Sequence, residues 1–258
     1  MKKYFYRIIL SYSGQSYFGW QIQNETEDTI QGKFNSAFLD ATGINNFRTT
    51  GAGRTDSGVH AIGQVVLVET TKQLPQKVFL KGVNDRLPKD IRIIDADNVS
   101  EDFHPIFSSR SKTYQYVLAL NILPPMLELN FLPYSKSINI ELLQEGVECF
   151  RGKHDFQNYF CVGTDVSSTV REVFAASAKI IDNFSFGEYS VKGTFFQFEF
   201  TGSGFLKQQV RLMVGALLSL NEGRVTVSEL RDSLLYRNAR HLGSVAPARG
   251  LYLREVQY

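Results

Sequence analysis

The spacing of apolar positions changes several times along the chain, and each change marks an element. Tyr4 to Tyr12 is aromatic, β-rich and almost wholly apolar, which predicts a buried strand. Ile30, Phe34, Ala37, Phe38 and Ala41 then recur at helical spacing, with Asp28 or Thr29 placed to cap the start and Gly43 the end. Strands are predicted around residues 47–50 and 62–70, a helix over 76–87 stopped by Pro88, and a strand over 91–95. The second half repeats that order. Tyr114, Tyr116, Leu118 and Leu120 share one face of a strand over 112–120, and an excursion with Pro124, Pro125 and Pro133 follows. Asn139 caps a helix carrying Leu142, Leu143, Val147 and Phe150, with Gly152 beyond its end. Strands over 170–181 and 191–200, an apolar helix over 205–220 and a strand over 250–257 complete the chain. Two β-α-β-β-α-β runs predict an α+β fold of tandem ferredoxin-like halves, residues 1–105 and 106–258. The halves would share a broad, mostly antiparallel sheet with a cleft between them. No sequence similarity between the halves supports a duplication, so the expectation rests on element order.

Composition narrows the class. At 258 residues the chain holds one to two domains, and 43% apolar with 13% aromatic residues excludes a disordered or low-complexity protein. Two cysteines, Cys149 and Cys161, are too few for a disulfide scaffold and fit a reducing, cytoplasmic setting. Arg7 interrupts the first apolar run well short of a signal peptide. The run from Leu212 to Leu220 is about half the ~20 residues a membrane span needs, so a soluble protein with no membrane partner is expected. The net charge of +2 is uninformative, but from Gly204 onward eight basic residues face four acids, and seven of the eight are arginine. That excess fits either a polyanion-binding surface or a solvated basic face.

One stretch stands apart: Gly51-Ala52-Gly53-Arg54-Thr55-Asp56-Ser57-Gly58-Val59-His60-Ala61. Its glycines allow close approach by another molecule, and between them lie a cation, a carboxylate and two hydroxyls. It lacks the Gly-Lys-Ser/Thr ending of a nucleotide-binding P-loop, and the Rossmann glycine spacing fails as well. The residues themselves allow two readings, a reactive loop or a tight turn closed by an Arg54–Asp56 pair. Arg211 is a second oddity, because it sits inside the run Val210 to Val214 and a guanidinium there calls for an anionic partner or a place on the polar side of the helix. The four histidines have no metal-ligand spacing, so no metal is expected.

The stretch from Gly53 to Ala61 resembles the active-site signature of the tRNA pseudouridine synthase A family. Further motifs resemble the same family in the same order. They are Tyr12-Ser13-Gly14-Gln15-Ser16-Tyr17-Phe18-Gly19-Trp20-Gln21, Gly82-Val83-Asn84, Leu87-Pro88-Lys89-Asp90-Ile91 and Asp102-Phe103-His104-Pro105. Lys112-Thr113-Tyr114-Gln115-Tyr116, Gly152-Lys153-His154-Asp155-Phe156 and Ala246-Pro247-Ala248-Arg249-Gly250-Leu251-Tyr252-Leu253 follow. The resemblance implies an isomerase that converts tRNA uridine to pseudouridine: the C1'–N1 bond breaks, the base turns, and C1' joins C5. It implies no metal, nucleotide or other cofactor. Asp56 matches the essential aspartate, as nucleophile or as base at the ribose, with Arg54 and Arg211 beside it to favour its ionised form. Arg54 would also fill the gap left by a flipped uridine, and Tyr114 would stack on the base and help remove the C5 proton. Leu253 would wall the base, and Gly53, Thr55, His60 and Lys207 complete the expected substrate-facing set. The expected targets are positions 38, 39 and 40 of the anticodon stem-loop, with the protein a homodimer. Three departures bear on target choice: Ser13 stands where the family usually has aspartate, Lys207-Gln208-Gln209 replaces a His-Met-type pair, and Cys161 to Thr169 is atypical. A non-catalytic RNA-binding protein on the same scaffold, or a hydrolase using Asp56 with a second carboxylate, would be the alternatives.

Overall fold

In a computed structural model, residues 2–121, 130–161, 166–186, 188–236 and 242–258 are described. The excursion at Pro124 and Pro125, and Arg237 and Arg240 of the basic C-terminal stretch, lie outside them. The chain is α+β with mostly antiparallel strands, and it forms two compact units, Met1–Arg110 with Leu253–Tyr258, and Ser111–Tyr252.

The first unit begins with β1 (Tyr4–Tyr12), whose alternate residues Tyr6, Ile8, Leu10 and Tyr12 are buried. Helix α1 (Ile30–Thr42) buries Ile30, Phe34, Ala37 and Phe38. Thr29, of the two candidates, is its N-cap: the Thr29 hydroxyl accepts from Gly32 N, and left-handed Gly43 closes the other end by donating to Leu39 O. Strands β2 (Phe47–Gly51), β3 (His60–Thr70) and β4 (Ile91–Val99) follow. Both β4 and β3 pair antiparallel with β1, and β2 pairs antiparallel with β3. The resulting order 4-1-3-2 is that of a ferredoxin-like unit. The helix expected over 76–87 is shorter and wound wide, as a π-helix at Val78–Val83. Asn84 explains the widening. Its side chain accepts from Ile93 N (2.8 Å) and donates to Ile93 O (2.9 Å), so the turn's end is pinned to β4 while Asn84 N reaches back five residues to Phe79 O.

The second unit contains β5 (Ser111–Ala119), β6 (Leu132–Pro133), α2 (Ile140–Glu148) and β7 (Gly152–Asp155), then the long hairpin β8 (Val170–Phe186) and β9 (Tyr189–Gly202). Helices α3 (Gln209–Asn221) and α4 (Val227–Leu235) precede the last strand, β10 (Leu251–Gln257). The antiparallel order β5-β9-β8-β7 buries Phe196, Phe198 and Phe200 completely, and α2 packs on β8 and α3. Helix α3 starts four residues later than the apolar pattern predicts. Gln208 is left-handed (φ 62°), and the Gln209 side chain accepts from Leu206 N, so residues 205–208 form a turn instead of a first helical turn. Helix α4 was not predicted, although Thr226 and Glu229 form a reciprocal capping box.

Burial pushes the phenols of Tyr12, Tyr116, Tyr159 and Tyr252 well above their ordinary value. Each therefore stays protonated in the fold after it would ionise in the unfolded chain. A raised folded-state value gives stability that is full below about pH 10 and falls above it, by up to about 1.4 kcal/mol per pH unit per phenol. Denaturant titrations between pH 8 and 11 should show flat stability followed by a steep decline. A flat profile throughout would mean these phenols are not the alkaline weak point.

Candidate active site

Residues Ala52 to Val59 link β2 to β3 without regular secondary structure, so their shape comes from side contacts. At the base, Ala52 N donates to Val65 O (2.8 Å) and Gln64 Nε2 to Gly53 O (2.7 Å). The hydroxyls of Tyr12 and Thr55 share a 2.8 Å hydrogen bond. Desolvation raises the Tyr12 phenol, while its bonds to Thr55 and Gln64 pull the other way.

The segment from Gly14 to Trp20 lies along the loop. Trp20 N donates to Thr55 O (3.1 Å), Gly58 N donates to Tyr17 O (3.3 Å), and the Ser57 hydroxyl donates to the same oxygen (3.2 Å). Gly14 N donates to Nδ1 of His60 (3.3 Å), a ring only 1% exposed. Two glycines make the approach possible. A Cβ on Gly14 would lie 1.9 Å from Val59 O, and one on Gly19 (φ 92°) would lie 2.7 Å from Thr55 O. The half-buried Asp56 is thus held from both sides, with Thr55 O bonded before it and Ser57 and Gly58 after it, while Val59 N closes a turn onto Asp56 O (3.1 Å). Arg54 is exposed on the same loop, and Leu253 is fully buried in the end of β10 that belongs to this unit.

Tyr114, Lys207 and Arg211 belong to the second unit. Tyr114 on β5 is 9% exposed and meets the Phe205 ring edge-on, at 5.3 Å between centroids and 82° between planes. Arg211, half-buried in the first turn of α3, donates through Nε to Ala246 O (2.7 Å), while Ala246 N donates to Arg211 O. The Ala246-to-Gly250 motif therefore wraps the start of α3 and also meets β5, where the Tyr116 hydroxyl donates to Pro247 O (2.9 Å). Burial raises the Tyr116 phenol, and the Arg211 and Arg249 charges partly offset it. Lys207 is exposed and its carbonyl accepts from Cys161 N.

Sequence reasoning assigned no role to Tyr12, Tyr17, Gln64, Asp90 or Phe205. All five lie in motifs or elements quoted for other reasons, but partners as distant as Tyr17 and Asp90, 73 residues apart, leave no local signal. Among the described residues no group of three or more His, Cys, Asp and Glu side chains could hold a metal ion, and no helix is long and apolar enough to cross a membrane.

The fold is thus that of an α+β protein with a carboxylate held on a glycine-bordered loop of a ferredoxin-like unit, and with a buried tyrosine and a half-buried arginine in a second unit. The family model of tRNA pseudouridine synthases matches residues 8–108 and 147–258, and the chain belongs to that family of isomerases. It is 34% identical over 254 residues to tRNA pseudouridine synthase A of Streptococcus agalactiae, covering 98% of this chain and 95% of that one. It is 34% identical to the enzyme of the same name from Streptococcus thermophilus, covering 98% of each. The corresponding figure for Latilactobacillus sakei is 32%, with 98% of both chains covered. Among solved structures, a chain of a Cbf5-Nop10-Gar1 complex aligns over 96% of this chain and 48% of its own, at 9% identity and a TM-score of 0.36.

Proposed function

We propose that this protein isomerises uridine to pseudouridine in the anticodon stem-loop of tRNA, at positions 38, 39 and 40, with Asp56 as the carboxylate that acts at the ribose. Family membership supports the reaction class. The observation that carries the assignment to Asp56 is the loop itself: backbone bonds on both sides of one carboxylate spend several hydrogen bonds and two obligatory glycines on its position. The reaction breaks C1'–N1, forms C1'–C5 and transfers the C5 proton to solvent, while a proton is taken up at the freed nitrogen, so nothing is oxidised or reduced. Reaching C1' inside a stem requires the nucleotide to leave the stack, and exposed Arg54 is suited to occupy the space it vacates. Tyr114 offers its ring for the flipped base, where a stack is worth about 1–3 kcal/mol, with Leu253 as apolar wall. Gly53, Thr55 and His60 set the loop, Arg54 supplies positive charge for Asp56, and Arg211 and Lys207 supply it for the RNA. A cytoplasmic location, supported by the count of only two cysteines, and a homodimer, which rests on the family resemblance, belong to the same proposal.

The experiment is release of tritium from tRNA labelled at uridine C5, with purified protein and no added metal or nucleotide. Forming the C1'–C5 bond must expel that tritium to water. Release that maps to positions 38, 39 and 40 is the expected result. Binding without release would favour the non-catalytic RNA-binding alternative, and free uracil would point to hydrolysis.

A further inference from the structure

Tyr17 faces two ways. Its carbonyl accepts from Gly58 N and the Ser57 hydroxyl, the two residues that follow Asp56, and its hydroxyl donates to Asp90 Oδ1 at 2.6 Å. Asp90 sits just before β4, and its own carbonyl accepts from Ser13 N (2.9 Å), at the other end of the turn closed by Tyr17 N and Gly14 O. Asp90 therefore grips the 13–17 turn at its start through the main chain and at its end through the carboxylate. Burial, reinforced by the negative charge of Asp90, holds the Tyr17 phenol protonated and able to donate. The loop has no regular secondary structure of its own, so displacement of the Tyr17 carbonyl would pass directly to the backbone beside Asp56.

We propose that Tyr17 and Asp90 form a clamp that positions Asp56 for reaction, acting through the Tyr17 carbonyl and not by touching substrate. The proposal rests on Asp56 being the catalytic carboxylate. The clamp's function is geometric, because the Ser13–Asp90 main-chain bond survives any change to either side chain and keeps the segments together.

The test compares Tyr17→Phe, Asp90→Ala, Asp90→Asn and Asp56→Asn by kcat and KM on tRNA and by thermal unfolding. Tyr17→Phe and Asp90→Ala should each lower kcat by about tenfold or more, since a misplacement of about 1 Å can cost a hundredfold, with KM within about twofold. The double variant should lose no more than either single one, because both remove the same bond. Asp90→Asn keeps an oxygen that accepts from the Tyr17 hydroxyl and should retain most of kcat. Wild-type kcat in folded Tyr17→Phe and Asp90→Ala, with only a lower melting temperature, would overturn the clamp. So would equal losses in Asp90→Asn and Asp90→Ala. If Tyr17→Phe does not fold, Asp90→Ala against Asp90→Asn decides, because both leave the Tyr17 ring and its packing intact. Turnover by Asp56→Asn would instead overturn the catalytic reading itself, whatever the clamp variants do.

Discussion

Asp56→Asn should lose turnover by at least about a thousandfold while its dissociation constant for tRNA changes by less than about threefold. The substitution is nearly isosteric. The bonds that hold the loop run through main-chain atoms of Thr55, Asp56 and Gly58 and through the Ser57 and Thr55 hydroxyls, none of which it removes. What it removes is the charge and the nucleophilic or basic oxygen, which an amide cannot replace at the ribose. Affinity should survive because phosphate contacts supply most of the binding free energy, and they depend on cations spread over the surface. Tritium release and filter binding on the same preparation measure both quantities. A parallel fall in binding and turnover would make Asp56 a structural residue and end the catalytic assignment.

Gly14→Ala should be severely destabilising and inactive at temperatures where the parent works. The new Cβ would stand 1.9 Å from Val59 O, 2.6 Å from Val59 C and 3.1 Å from Val59 N, so relief requires movement of backbone and not rotation of a side chain. Both partners are fixed: Val59 is buried and bonded to Asp56 O, and Gly14 N is bonded to His60. A cost of about 3 kcal/mol or more belongs to the class of strain at close backbone approach. For a chain of this size that lowers the melting temperature by on the order of 10 °C. Gly43→Ala is the natural comparison, because Gly43 has φ 65° but no atom within 4 Å of its would-be Cβ. Only left-handed strain is added there, about 1 kcal/mol. Equal melting temperatures for the two variants would show that the 14–59 contact has slack that its geometry hides.

The elements most legible in sequence were those with local causes. The apolar run of β1, the Thr29 and Gly43 caps of α1 and the Asn139 cap of α2 are written within a few residues of where they act. Motif likeness marked the Asp56 loop and located Tyr114 and Arg211 on their elements. Elements with distant causes were misread. A 3.6-residue pattern over 76–87 carries no sign that Asn84 will be captured by Ile93 and the turn wound wide. The start of α3 was misplaced because Leu206 continues the apolar stripe while Gln208 turns left-handed. The α4 capping box was readable from Thr226 and Glu229, but the polar surface of that short helix hid it. The support of the loop by Tyr12, Gln64, Tyr17 and Asp90 depends on β1, β3 and β4 lying side by side, which no local pattern encodes.

The discontinuity of the first unit has a consequence for biosynthesis. Residues 253–258 belong with residues 1–110, and the Arg254 carbonyl lies so close to Gly63 that only a glycine fits there, on the strand that begins where the Asp56 loop ends. Arg110 N donates to Gln257 O, and the Tyr258 ring packs on Phe103 while its hydroxyl donates to Pro105 O. A nascent chain emerging at about 5–20 residues per second therefore waits on the order of ten seconds, while Ser111 to Tyr252 is made, before that edge of β3 can be covered. Through that interval the ribosome holds a partly finished unit, in which the strand that follows the carboxylate loop still lacks the Arg254 segment beside Gly63.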